Sequence, residues 1–184
     1  MNNTASAKLN KYAGILAGVM EALHWIAAAS MVALGICAAV SWDWLDGIFA
    51  RINEPSLSTY GFEIVAMQGR LESRAVWLFA IAAVVILALM ALVCRNVRLI
   101  LKRSRSASPF QQENVRMLRE IGLFFLAIPV VSLAMSVLLR LLLGDAVEAA
   151  TLDPTHFVMG IFMLCLSLAF DHGAALEADT EGLV

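Results

Sequence analysis

Four apolar runs alternate with polar segments along this chain, and the lengths of the runs decide the class of protein. Tyr12 to Val40 has Glu21 as its one charge and His24 as its one histidine, and Ala75 to Cys94 is uninterrupted. Ile121 to Leu143 is broken by Pro129 and closed by Arg140, and a last run extends from Pro154 to about Phe170. A helix needs ~20 mostly apolar residues to cross the ~30 Å hydrocarbon core of a bilayer. The runs therefore read as membrane spans at about 22–40, 75–94, 121–143 and 154–170, with Tyr12 to Glu21 as a helical extension of the first. The first run exceeds the ~7–15 apolar residues of a secretory signal, so it is expected to be retained. The expected fold is all-α, an integral membrane bundle of four transmembrane helices forming one domain over residues 1–184.

The polar segments carry weaker patterns. Ser41 to Arg74 mixes both signs of charge with breakers at Pro55 and Gly61, and its apolar stretches Leu45 to Ile52 and Phe62 to Met67 are expected to form a short amphipathic helix and a short strand. Ser108-Pro109-Phe110-Gln111 fits a capping box, so a helix is expected from there towards Ile121, with Val115, Leu118 and Ile121 on one face and Arg116 and Arg119 on another. Glu113 and Glu120 lie within pairing distance of Arg116. This is either a short interfacial or cytoplasmic helix before the third span, or an elongation of that span. Pro129 leaves the Phe125 carbonyl without its helical partner, so a kink is expected there, eased by side chains such as Ser132. Asp153 with Pro154 reads as a helix start.

Composition strengthens the membrane reading. Of the 184 residues 61% are hydrophobic and 15% charged, with a mean hydropathy of +0.81, well above the ~45–50% apolar share of soluble domains. The net charge of −2 conceals an uneven distribution. Arg95, Arg98, Lys102, Arg103, Arg105, Arg116 and Arg119, among thirteen basic residues in all, cluster in the connection 95–120. Basic residues beside spans are retained on the untranslocated side. The basic loop 95–120 and both termini are therefore expected in the cytoplasm, and the longer connection 41–74 outside. The tail 171–184 has four acids, Asp171, Glu177, Asp179 and Glu181, and no Lys or Arg. Opposite charges at one membrane face should associate weakly, for example Arg103 with Glu177. Cys37, Cys94 and Cys165 fall at different depths and are expected to stay reduced.

The segment Ser108 to Gly122, Ser-Pro-Phe-Gln-Gln-Glu-Asn-Val-Arg-Met-Leu-Arg-Glu-Ile-Gly, resembles the central-loop hallmark of the bacterial domain-of-unknown-function 2975 family of small four-span membrane proteins. The acidic ending from His172 to Val184 is similar to the family's last segment. Gln111 stands where that family usually has Thr or Ser, and Leu183 where it usually has Thr. The resemblance implies a bacterial plasma (inner) membrane location, no assigned activity, and a small helix-turn-helix transcriptional regulator as partner.

Candidate chemistry is sparse. Glu21 and His24, three apart on one helical face, form a candidate polar membrane pair, but two ligands do not make a metal site. Gly14-x-x-x-Gly18 with Ala22 is a small-residue stripe that leaves a homo-oligomer open. No nucleophile with a base, no phosphate loop and no paired carboxylates within a span are present. The expectation is a non-enzymatic protein with no cofactor, no metal and no direct nucleic-acid contact. Its loop and tail would dock a partner or the lipid bilayer through Arg98, Lys102, Arg103, Arg105, Glu113, Asn114, Arg116, Arg119, Glu177 and Asp179. The alternative is a small transporter or channel component using Ser132, Ser136 and the Pro129 break.

Overall fold

Each apolar run becomes one long helix in the computed structural model, which describes residues 3–52, 55–66, 71–104, 111–144, 147–149 and 154–181. In chain order the elements are α1 (Asn3–Val40), α2 (Trp42–Phe49), β1 (Ser56–Thr59), β2 (Phe62–Ala66), α3 (Ser73–Arg103), α4 (Gln112–Leu143), β3 (Val147–Ala149) and α5 (Pro154–Glu181). The helices α1, α3, α4 and α5 are long and apolar enough to cross a membrane, which makes this a multi-pass membrane protein by helix length and composition.

The chain is mostly helical, as an all-α bundle should be, and the strand expected over Phe62 to Met67 appears as β2; two strands not expected from the sequence, β1 and β3, join it in one antiparallel sheet in the order β1-β2-β3. Two expectations need correcting. No separate helix precedes the third span among the described residues: α4 runs unbroken from Gln112, since Val115, Leu118 and Ile121 continue the buried face of the same helix. The capping residues Ser108 to Phe110 lie outside the described residues, as does Arg105. The segment expected as a tail continues α5 as helix to Glu181, and the basic connection likewise consists mainly of the ends of α3 and α4. Pro129 sits inside α4 as expected, but Ser132 Oγ donates to the Ile128 carbonyl at 3.0 Å rather than to that of Phe125.

The described chain packs as two compact units, each assembled from parts of several helices. One comprises Met1–Leu23, Leu89–Leu126 and Thr155–Val184; the other comprises His24–Ala88 and Ala127–Pro154.

The second unit holds most of the core. Ala75, Val76, Phe79, Ala83 and Ile86 of α3 are almost wholly buried, as befits a helix apolar on every face. Against it lies the β1–β2 hairpin, whose register pairs Thr59 with Phe62 around a two-residue turn at Tyr60-Gly61. Both turn residues have positive φ, 42° and 80°, as the hairpin turn matched to strand twist demands. Glycine accepts that conformation freely, whereas a tyrosine there costs roughly 1–2 kcal/mol. Phe62 and Ile64 face inward, with Phe62 stacked on Phe79 at 5.6 Å between centroids; Ser56, Ser58 and Glu63 face outward. Ser73 Oγ donates to the Ala38 carbonyl at 2.7 Å, which satisfies one of the acceptors that a helix end leaves open. Gly144, with φ +61°, ends α4.

Candidate functional site

The first unit collects the charged residues that the sequence singles out. At the end of α3 and the start of α4, Arg103 pairs with Glu113 at 2.5 Å, and Glu120 receives Arg116 Nε at 3.1 Å on one oxygen and Asn96 Nδ2 at 3.1 Å on the other. Asn96 is buried, and nothing in its sequence context marks it as the partner of a carboxylate twenty-four residues away. A cleft of about 320 Å³ lies between these two helix ends, bordered by Arg95, Asn96, Arg103, Glu113, Arg116 and Glu120 among others. The two acids of the connection thus hold two of its arginines, which lowers the charge this part of the chain offers elsewhere. The pairs are half-exposed or exposed, so each contributes only ~0–1 kcal/mol.

A second cluster joins α1 to α3. Arg98 reaches Glu21 at 2.9 Å. Its aliphatic stem lies over Gly18, where an added Cβ would stand 3.4 Å from Arg98 Cδ. The small-residue stripe Gly14-x-x-x-Gly18 is therefore occupied within the chain at Gly18 by an arginine side chain. A more intimate helix contact lies where the stripe motif gives no hint. A Cβ on Gly122 would meet the Gly160 carbonyl at 3.0 Å, and one on Gly160 would meet Leu126 Cγ at 2.7 Å and the Gly122 carbonyl at 3.0 Å. These two glycines let the backbones of α4 and α5 touch, as small residues do between membrane helices.

The α5 extension belongs to the same unit as the basic helix ends. Gln112 Nε2 donates to Asp171 Oδ1 at 3.3 Å, joining the start of α4 to the segment expected as an acidic tail. The remaining candidates separate by environment. Lys102, Arg119 and Asp179 are exposed; Asn114 is only 1% exposed and so offers no surface contact.

Glu21 and His24 take different partners. Glu21 turns to Arg98 in the first unit, whereas His24 Nε2 lies 2.5 Å from the Tyr60 hydroxyl in the second, with the rings stacked at 5.7 Å. His24 is buried. The path along α1 from His24 to Ala38, near which α3 begins, is about 21 Å at ~1.5 Å per residue. The hairpin turn therefore stands beside α1 well inside its apolar run. Irregular backbone at such a place is tolerated where it is buried in protein or lines water, and Phe62, Ile64 and Ala66 provide the burial. Searches against protein families, characterised proteins and solved structures return no match for this chain. Among the described residues no group of three or more His, Cys, Asp or Glu is placed to hold a metal ion. Cys37, Cys94 and Cys165 are free thiols.

Tyr60 and strand β1 are what sequence reasoning missed at this site. Tyr-Gly is a weaker turn signal than Asn-Gly or Asp-Gly. The alternation Ser56-Leu57-Ser58-Thr59 is too short and too polar to announce a strand unaided.

Proposed function

We propose that this chain is a non-enzymatic protein of the bacterial plasma membrane, of the domain-of-unknown-function 2975 type, with both termini in the cytoplasm. Its basic helix ends and the α5 extension form one docking surface for a small helix-turn-helix regulator. The observation that supports this reading is the hydrogen bond from Gln112 to Asp171 within one compact unit, which brings the basic connection and the acidic extension together. The exposed groups available to a partner are Lys102 and Arg119 on one side of the charge balance and Asp179 on the other, with Leu176 as an apolar contact, 67% exposed. Such mixed charge around an apolar anchor suits recognition of a protein rather than catalysis on a small molecule.

The test is co-purification of the full-length protein with the regulator encoded beside it, both produced together. Leu176→Ala with Asp179→Asn should lower recovery of the regulator severalfold while leaving membrane insertion intact. Equal recovery from the variant and the parent removes the docking surface. A second reading, a small transporter or channel component, draws on the His24–Tyr60 contact within the apolar run and the outward polar face of Ser56, Ser58 and Glu63. Solute or ion flux into proteoliposomes that disappears in Tyr60→Phe supports that alternative, and flux indistinguishable from empty liposomes counts against it.

A further inference from the structure

The start of α1 and the end of α3 enclose a cleft of about 270 Å³ lined by Lys11, Gly14, Ile15, Arg98 and Lys102. Three cations border it, and one of them, Arg98, is held by Glu21 from the flank at 2.9 Å. Taking these four side chains alone, the cleft carries two positive charges in excess. Gly14 adds no side chain to its lining. Its other wall is apolar: Ile15 both lines the cleft and is 54% exposed. From Ile15 an exposed apolar surface continues through Leu16 and Val19 into the first membrane-crossing run, with Tyr12 beside it, 67% exposed.

We propose that this cleft binds the phosphate of an anionic phospholipid, whose acyl chains lie along the Ile15–Val19 face of α1. Three features select that occupant. Ammonium and guanidinium groups around a small recess suit a phosphate monoanion, which can take several charge-assisted hydrogen bonds at once. The exposed apolar wall flush with the cationic rim suits a ligand that is charged at one end and apolar at the other. Basic recesses between transmembrane helices at the membrane surface have this combination of neighbours. A second copy of the chain is disfavoured at this place because it would bring like charges together. An acidic soluble peptide would leave Ile15, Leu16 and Val19 in water. Arg98 is paired with Glu21 and its stem lies over Gly18, which restrains it before the lipid arrives and lowers the ordering cost of binding.

The inference needs only that the chain crosses a membrane and does not depend on the regulator-docking reading. It is tested with the full-length protein in phosphatidylcholine nanodiscs containing either spin-labelled phosphatidylglycerol or spin-labelled phosphatidylcholine, by measuring the motionally restricted fraction of each label. The parent should prefer phosphatidylglycerol. Lys102→Gln, which leaves the Arg98–Glu21 pair in place, should lower that preference by about fivefold or to parity, the effect of one basic charge at an anionic surface. Lys11→Gln carries the same expectation should the first variant not fold. Arg51→Gln, an exposed cation between α2 and β1 that does not line the cleft, should leave the preference within about twofold. Parity in the parent overturns the proposal, and so does an equal loss in Arg51→Gln, which would mean a general effect of net charge rather than a site. Displacement of the label by water-soluble glycerophosphoglycerol as readily as by phosphatidylglycerol would mean a site for free phosphate esters, and overturns the assignment to lipid. Displacement by a soluble poly-glutamate peptide under the same conditions overturns it in favour of an acidic protein segment.

Discussion

The unit built around the basic connection and the unit built around the sheet satisfy their polar groups by different means. In the first, charges answer charges: Arg103 with Glu113, Arg116 with Glu120 and Arg98 with Glu21, all at least partly open to water. In the second, the core is apolar and its polar side chains are tied by hydrogen bonds such as those of His24 with Tyr60, of Ser132 Oγ to the Ile128 carbonyl and of Ser73 Oγ to the Ala38 carbonyl. Exposed ion pairs stabilise little, whereas buried aromatic and aliphatic groups are tightly coupled to their surroundings. The residues most visible as charges are therefore not those expected to hold the fold; the sheet-bearing unit has the larger share of the buried apolar side chains.

The largest expected effect follows from Phe62. Its ring is wholly buried and stacked on Phe79, so Phe62→Ala should destabilise by about 3–5 kcal/mol. Unfolding of the detergent-solubilised protein followed by circular dichroism measures this. A loss no greater than that of an ion-pair variant would break the contrast between the units. Gly160→Val examines the exception, since here the charged unit does depend on close packing. The added atoms must displace Leu126 and approach the Gly122 backbone, and a cost of about 1–3 kcal/mol or more is expected, together with a lowered yield of monodisperse protein. An unchanged yield and stability would mean that α4 and α5 separate there without penalty.

Tyr60→Phe comes next. It keeps the ring against His24 and removes only the hydroxyl, leaving His24 Nε2 without this partner in a buried position, so a cost of about 1–3 kcal/mol is expected. Tyr60→Gly relieves the positive φ as well, but removes the ring stacked on His24 together with the hydroxyl. If the glycine variant is as stable as the parent, relief of strain offsets the lost hydrogen bond and the lost ring contact together.

The contrast also explains how much could be read from the chain before its structure. The spans were legible because a helix that crosses lipid must satisfy its backbone internally and be apolar throughout, and that requirement writes itself over some twenty residues. Ser41-to-Arg74 substructure was partly legible: Leu45 and Phe49 mark the buried face of α2, and Phe62, Ile64 and Ala66 alternate as a strand should. The third strand was not, because Val147–Ala149 is only three residues long and gains its partner from a segment some eighty residues earlier. Glu21 and His24 looked like a pair because three residues of helix place them on neighbouring positions. Which partner each one takes depends on Arg98 and Tyr60, distant in sequence and uninformative alone. The same applies to Gly122 and Gly160: neither has a small residue at the four-residue spacing of a stripe motif to reveal its role on a helix face, and only the contact of α4 with α5 gives the two positions a common meaning.

The smallest expected effect is at the Arg103–Glu113 pair. Arg103 and Glu113 side chains are 37% and 69% exposed, so water and salt screen their attraction. A double-mutant cycle with Arg103→Gln and Glu113→Gln should give a coupling of about 0.2–1 kcal/mol, falling further as ionic strength rises. The pair closes the connection between α3 and α4. Its loss should therefore raise proteolytic nicking between these helix ends at low salt more than it lowers global stability. High salt should make parent and variant alike in nicking rate, while Phe62→Ala remains as destabilised as before, because an apolar core is not screened. A coupling above about 2 kcal/mol, or one insensitive to salt, would mean that the ion pair is structurally dominant and that the charged unit is held together by the same kind of buried contact as its counterpart.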